Sequence, residues 1–106
     1  MKPRKNSDYV GSACSVYPGE SGRATMRMCQ FGDICLRLID YSSNYGADHW
    51  RHKGHIVFVV AGQLVIEHQH GLSYRLTPGT SYHVTDGEGP PHRALSENGA
   101  TVFVVD

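Results

Sequence analysis

Three histidines, His49, His52 and His55, fall inside DHWRHKGHIVFVVAG, residues 48–62, a segment that runs from charged and aromatic residues straight into an apolar stretch and stops at Gly62. A further histidine, His92, comes in GPPH after another stretch with strand spacing. Imidazoles this near an apolar strand belong to a pocket inside the fold, where a neutral ring nitrogen can ligate a metal, accept a proton or hold a polar ligand. The expectation is that the two segments face each other across a small β-barrel and share one pocket.

Strand parity sorts the cluster. Side chains alternate between faces, so in a regular strand residues 49, 51, 53, 55, 57 and 59 point one way. Val57 and Val59 mark that face as the inner one, which sends His49, Arg51 and His55 inward and His52 outward unless a bulge re-aims it. With His92, the inward histidines make three neutral nitrogen ligands, His49, His55 and His92. That set suits a divalent transition metal (Zn, Fe, Ni, Mn or Cu) with positions left open for water or substrate. Structural hydrogen bonding of each histidine is the alternative, and it stays open. Arg51 works against the metal: a guanidinium does not ligate, and its charge opposes a nearby cation. If Arg51 points away, or pairs with Asp48 or a ligand carboxylate, the metal survives; if it points in, the pocket suits an anion.

The remaining candidates are weaker. Tyr82 alternates with Ser81 and His83 so as to face the pocket, where its hydroxyl needs a partner; Tyr82 and His52 are the candidate acid/base residues. His68 and His70 flank a hairpin tip and read as solvated turn residues, His83 as an outward one, and Trp50 as outer-face packing.

Many short strands must position these groups. Ala24, Met26 and Met28 alternate with Arg23, Thr25 and Arg27, a half-buried strand. Gly32-Asp33 turns into a second strand in which Cys35, Arg37 and Ile39 alternate with Ile34, Leu36 and Leu38. Cys29 and Cys35 fall roughly opposite each other in this hairpin, as apolar fillers in preference to a disulfide. Ile56 to Val60 are apolar on both faces, so both faces should be covered, one by the barrel interior and the other by the N-terminal arm or a second subunit. Leu64 and Ile66 lead to His70-Gly71, read as a two-residue hairpin turn, and Leu72, Tyr74 and Leu76 return. The last strand is Thr101 to Val105. Residues 1–21, with little periodicity, read as an arm anchored by Tyr9, Val10, Val16 and Tyr17, and residues 22–106 as the barrel domain. No window has sustained helical periodicity with caps. At least seven short strands with frequent turns give an all-β, closed fold.

The totals exclude several classes. The 106 residues make one domain. Ten Lys and Arg balance ten Asp and Glu, so no net charge draws the chain to nucleic acid or an anionic membrane. The longest apolar run, IVFVVA, is far short of the ~20 residues that span a bilayer. MKPRKNSDYV lacks the apolar region of a secretory signal, and three cysteines are expected as reduced thiols in the cytoplasm.

These segments resemble the cupin superfamily, specifically the small bacterial cupins named for a DHCW motif. Gly62 fixes the alignment to the first cupin motif: His49 falls on its first histidine, Arg51 on its second, and His55 on its glutamate. His92 in DGEGPPHR matches the histidine of the second motif. PGESGRA, ADHW, KGH, LTPGTSYHV and PHR…FVVD are similar to the DHCW group, and the resemblance covers about residues 18 to 106. It implies a small single-domain, jelly-roll-like barrel. Departures are Arg51, where the DHCW group carries cysteine, His55 for the glutamate, Ser43 for an expected glycine, and a long spacing from Gly87 to His92. By resemblance, cupins bind a divalent metal and act as dioxygenases, isomerases, epimerases or lyases on small polar molecules, or simply bind ligands. Fold analogy does not choose among these.

Two functions follow as expectations. One is a metal-dependent enzyme on a small, polar, oxygenated molecule, with His49, His55 and His92 as ligands. The other is a metal-free binding module for a small carboxylate or sugar acid, with Arg51 forking onto the carboxylate and Lys53 and the histidines adding donors. A homodimer is expected through the doubly apolar strand.

Overall fold

The computed structural model describes residues 13–106 except Lys53, Asp86 and Glu88. The expected anchors Tyr9 and Val10 and the expected donor Lys53 therefore lie outside the described residues. Ten strands follow in order: β1 (Cys14–Pro18), β2 (Arg23–Phe31), β3 (Ile34–Tyr41), β4 (Tyr45–Gly46), β5 (His55–Gly62), β6 (Leu64–His68), β7 (Ser73–Leu76), β8 (Ser81–Val84), β9 (His92–Ser96) and β10 (Ala100–Val105). There is no helix among the described residues.

The strands form two antiparallel sheets, one of six in the order β1-β2-β3-β10-β5-β8 and one of four in the order β4-β9-β6-β7. Their inner faces enclose a shared core. Ile39, Val57, Val59, Val102 and Val104 come from the larger sheet, and Leu64, Ile66 and Leu76 from the smaller. Alternation along each strand supplies these residues, because one face of each is covered and is mostly apolar. Parity also turns Arg37 and Tyr41 inward beside Cys35 and Ile39.

At its far end β5 makes one irregularity. Its register against β10 shifts between Thr101 and Val102, so that Thr101 faces Ala61 while Val102 faces Val59, leaving Val60 as the extra residue of a bulge. Gly62 then adopts φ +75°, and a Cβ there would stand 2.3 Å from the Gly99 carbonyl oxygen. Only glycine fits this crossing from the large sheet to the small one.

Three expectations are corrected. Cys29 pairs with Leu36, and Cys35 with Gln30. The two cysteines thus sit on opposite faces of the hairpin, which rules out a bond between them, and all three cysteines are free. The connection between β6 and β7 spans residues 69–72 and is closed by the Leu72 carbonyl accepting from the His68 N–H at 2.7 Å, wider than a two-residue turn. Residues 14–18 of the expected arm form an edge strand on β2, distant in the sheet order from β5. The outer face of β5, with Ile56 49%, Phe58 43% and Val60 51% exposed, is not covered by any described part of the arm.

Candidate functional site

The site lies where β5 and β9 begin. Residues 48–52 are not a strand; their sole ladder contact is a bridge in which Arg51 and His92 exchange both backbone hydrogen bonds, each 2.9 Å. This bridge brings the histidine segment and the GPPH segment together. His92 opens β9 with its side chain inward and is 3% exposed. His55 opens β5 on the same side, and the two rings stand 5.0 Å apart, centroid to centroid, at 58°.

Beneath them lies a cavity of about 290 Å³. Its polar wall holds Arg51, His55, His92, Tyr41 and Tyr45; its apolar floor is Ile39, Val57, Leu64, Ile66 and Val104. The Tyr41 and Tyr45 rings pack at 4.6 Å. Burial raises both phenol pKa values, against the opposing charge of Arg51, so both remain hydroxyl donors at neutral pH.

Three arginines border the cavity, and the guanidiniums of two are paired. Arg37 Nε donates to Asp106 Oδ1 at 3.1 Å. Arg93 Nε donates to Glu67 Oε1 at 2.8 Å, and its guanidinium lies 4.5 Å from the Trp50 ring centroid. Arg51 makes no ion pair with any described carboxylate. Asp48, its expected partner, instead accepts from His49 Nδ1 at 2.6 Å; that bond is the main reason the Asp48 pKa is lowered.

His49 is therefore not brought to His55 and His92. Its side chain is 57% exposed, and it does not line the cavity. The parity argument required a strand running through residue 49, but β5 begins only at His55. Among the described residues no three His, Cys, Asp or Glu side chains come together as a metal site. His52 is exposed and also lies off the cavity wall; its carbonyl accepts from the Gly87 N–H at 3.2 Å.

His68 is the residue the turn assignment missed. It is the third inward position of β6 after Leu64 and Ile66, and it pairs across the sheet with His92, ring centroids 6.5 Å apart. The alternation of Leu64 and Ile66, carried one step further, would have placed it. His68 Nε2 and the Tyr82 hydroxyl share a hydrogen bond of 2.7 Å, and Tyr74 packs edge-on against His68 at 5.1 Å. Tyr82 does not line the cavity. It sits behind the pocket as the partner of His68, and burial raises its pKa.

Burial lowers the His92 pKa, and His68, Arg51 and His52 push it the same way. Burial, then His70, lowers that of His68. Both rings are thus neutral at pH 7. His92 Nε2 and His68 Nδ1 are buried with no hydrogen-bond partner among the described residues. A buried neutral imidazole with one open nitrogen can accept from a ligand, donate to it, or move a proton on it.

No family model matches the chain, and no curated protein matches it. Solved structures do. An RmlC-like cupin from Shewanella frigidimarina superposes with a TM-score of 0.75 at 18% identity, over 97% of this chain and 89% of that one. The chain has the cupin fold. The polyketide cyclase RemF from Streptomyces resistomycificus matches this cupin-fold protein with a TM-score of 0.78 at 17% identity, over 97% of this chain and 78% of that one. A sugar phosphate isomerase of the cupin superfamily from Silicibacter pomeroyi matches at 0.72 and 19% identity, over 95% and 74%. Such different activities on one scaffold leave function to be argued from the pocket.

Proposed function

We propose that this cupin-fold protein binds a small anionic organic molecule in its barrel cavity. Arg51 is the charge partner, and Tyr41, Tyr45, His55 and His92 supply the remaining hydrogen bonds. The observation that carries the reading is the Arg51 guanidinium, which lines the cavity without a described carboxylate to neutralise it. A cation with no described counter-charge at the wall of a half-apolar cavity favours an anion that can take its forked donors. The stretches PGESGRA, ADHW and LTPGTSYHV support reading the chain as a small bacterial cupin of the DHCW-motif group, with Arg51 marking its departure in chemistry. Thermal-shift screening of small carboxylates and phosphates tests the reading: ligands that stabilise the wild type should lose about 10- to 100-fold in affinity in Arg51→Gln, the loss of a charge-assisted hydrogen bond. Equal shifts in both proteins overturn it.

A second reading keeps the divalent transition metal. It is favoured by the open His92 Nε2 and by the 5.0 Å spacing of His55 and His92, which suits two imidazoles on one ion. These residues supply two ligands rather than three, since His49 faces solvent beside Asp48, so they do not by themselves fit a protein-held metal. Elemental analysis of protein purified without an affinity tag decides: close to one equivalent of metal supports this reading, and less than about a tenth, unchanged on adding metal, rejects it.

The outer face of β5 also supports a homodimer. Ile56, Phe58 and Val60 form an exposed apolar strip of the kind that marks association surfaces. Sedimentation at tens of micromolar should show twice the 11.7 kDa chain mass; a lone monomer contradicts it.

A further inference from the structure

The charges and walls of the cavity narrow the ligand class further, on the assumption that the anion-binding reading holds. We infer that the pocket selects a monocarboxylate with an apolar body of about five to seven carbons, and discriminates against dianions such as phosphate monoesters and dicarboxylates.

The charge count comes first. Arg37 is paired with Asp106, whose side chain is 8% exposed, and Arg93 with Glu67. Among the described residues that border the cavity, only the Arg51 charge is left for a ligand. One negative charge on the ligand is matched at Arg51, itself an exposed residue; a second carried down towards the apolar floor would be desolvated with no described cation free to meet it, in a cavity that also carries the Asp106 carboxylate.

The walls come second. Below the ring of polar groups, Ile39, Val57, Leu64, Ile66 and Val104 offer no hydrogen-bonding side-chain atoms, and Val57, Leu64 and Ile66 are at most 2% exposed. A hydroxylated sugar body reaching this floor would lose water without replacement, whereas an alkyl or phenyl body gains from burial. The size comes third. At roughly the 30 Å³ that a water molecule occupies in the liquid, 290 Å³ holds about ten non-hydrogen atoms, three of them the carboxylate.

The test is an NMR titration of the full chain with straight-chain carboxylic acids from acetate to decanoate, with benzoate, and with glutarate and a hexyl phosphate as dianions. Affinity should rise about three- to fourfold per methylene, the factor matching ~0.8 kcal/mol per buried CH₂, and level off near octanoate. Glutarate and hexyl phosphate should bind at least tenfold more weakly than hexanoate. Ala94 lines the cavity between the strands, so Ala94→Leu, checked for folding by its melt, should move the plateau two or three carbons shorter and leave acetate unchanged. If carboxylates bind but affinity is flat with chain length, or dianions bind as well as hexanoate, this inference fails and the anion-binding reading stands. If no anion of any kind shifts the cavity resonances, both fail.

Discussion

Replacing Tyr82 by phenylalanine tests how the back of the pocket is held. The Tyr82 hydroxyl is the partner of His68 Nε2 at 2.7 Å, while His68 Nδ1 is buried with none among the described residues. In Tyr82→Phe the imidazole, still flanked by Tyr74, His70 and His92, has neither nitrogen satisfied by a described residue. Leaving a buried polar group unpaired costs ~1–3 kcal/mol. Tyr82 and His68 are half-buried, so water relieves part of this and the lower half of the range applies, about 1–2 kcal/mol. For a domain of this size that corresponds to a fall in Tm of roughly 5–10 °C. Adding His68→Leu to Tyr82→Phe removes both polar partners and should restore most of the loss, because replacing a hydrogen-bonded pair with apolar groups is nearly neutral. Carboxylate affinity should change less than about twofold, since Tyr82 stands off the cavity wall. A Tyr82→Phe variant that melts with the wild type, or a double variant that is simply the sum of the singles, would refute the bracing role; a large loss of ligand binding with no loss of stability would return Tyr82 to the ligand.

Three more outcomes follow from the geometry. His68 and His92 both have lowered pKa values, so the unfolded chain binds protons that the folded chain resists. Stability should therefore be flat above pH 7 and fall as pH drops through about 6.5, the ordinary histidine value, towards their folded values; a Tm constant from pH 7.5 to 5 would contradict this. Gly62→Ala should cost about 3 kcal/mol by chemical denaturation, combining a left-handed φ with the clash on the Gly99 carbonyl, whereas Gly32→Ala, at φ +59° in open space, should cost only about 1. Phe58→Asp on the exposed face of β5 should shift sedimentation to the monomer while leaving carboxylate affinity within about twofold.

The recurrence of Ala24 and Met26, and of Val57 and Val59, at every second position made the inner sheet faces legible, because a covered face is mostly apolar. Gly62 marked the end of β5 for a reason visible in the sequence, a turn no side chain tolerates. The failures have physical causes too. Parity extended back from Val57 aims His49 inward, but Arg51 is held by its bridge to His92 and the regular strand starts only at His55. A two-residue turn at His70-Gly71 hides His68 in the hairpin tip, whereas residues 69–72 form the loop and His68 belongs to β6. Arg37 and Tyr41 shared the inward parity of Cys35 and Ile39 and were readable as pocket residues. The neutralisation of Arg37 by Asp106, 69 residues away in sequence, and the seating of Arg93 over Trp50 depend on which strands become neighbours, which local pattern does not encode.

The central claim is that the barrel holds an anion on Arg51, with its body on the apolar floor. A crystal soaked in 6-bromohexanoate tests it most directly, since bromine is located by its anomalous signal. The account predicts the carboxylate within about 3.2 Å of the Arg51 guanidinium and the bromine between Ile39, Val57 and Leu64. Bromine found only outside the barrel, or a carboxylate seated away from Arg51, would contradict it.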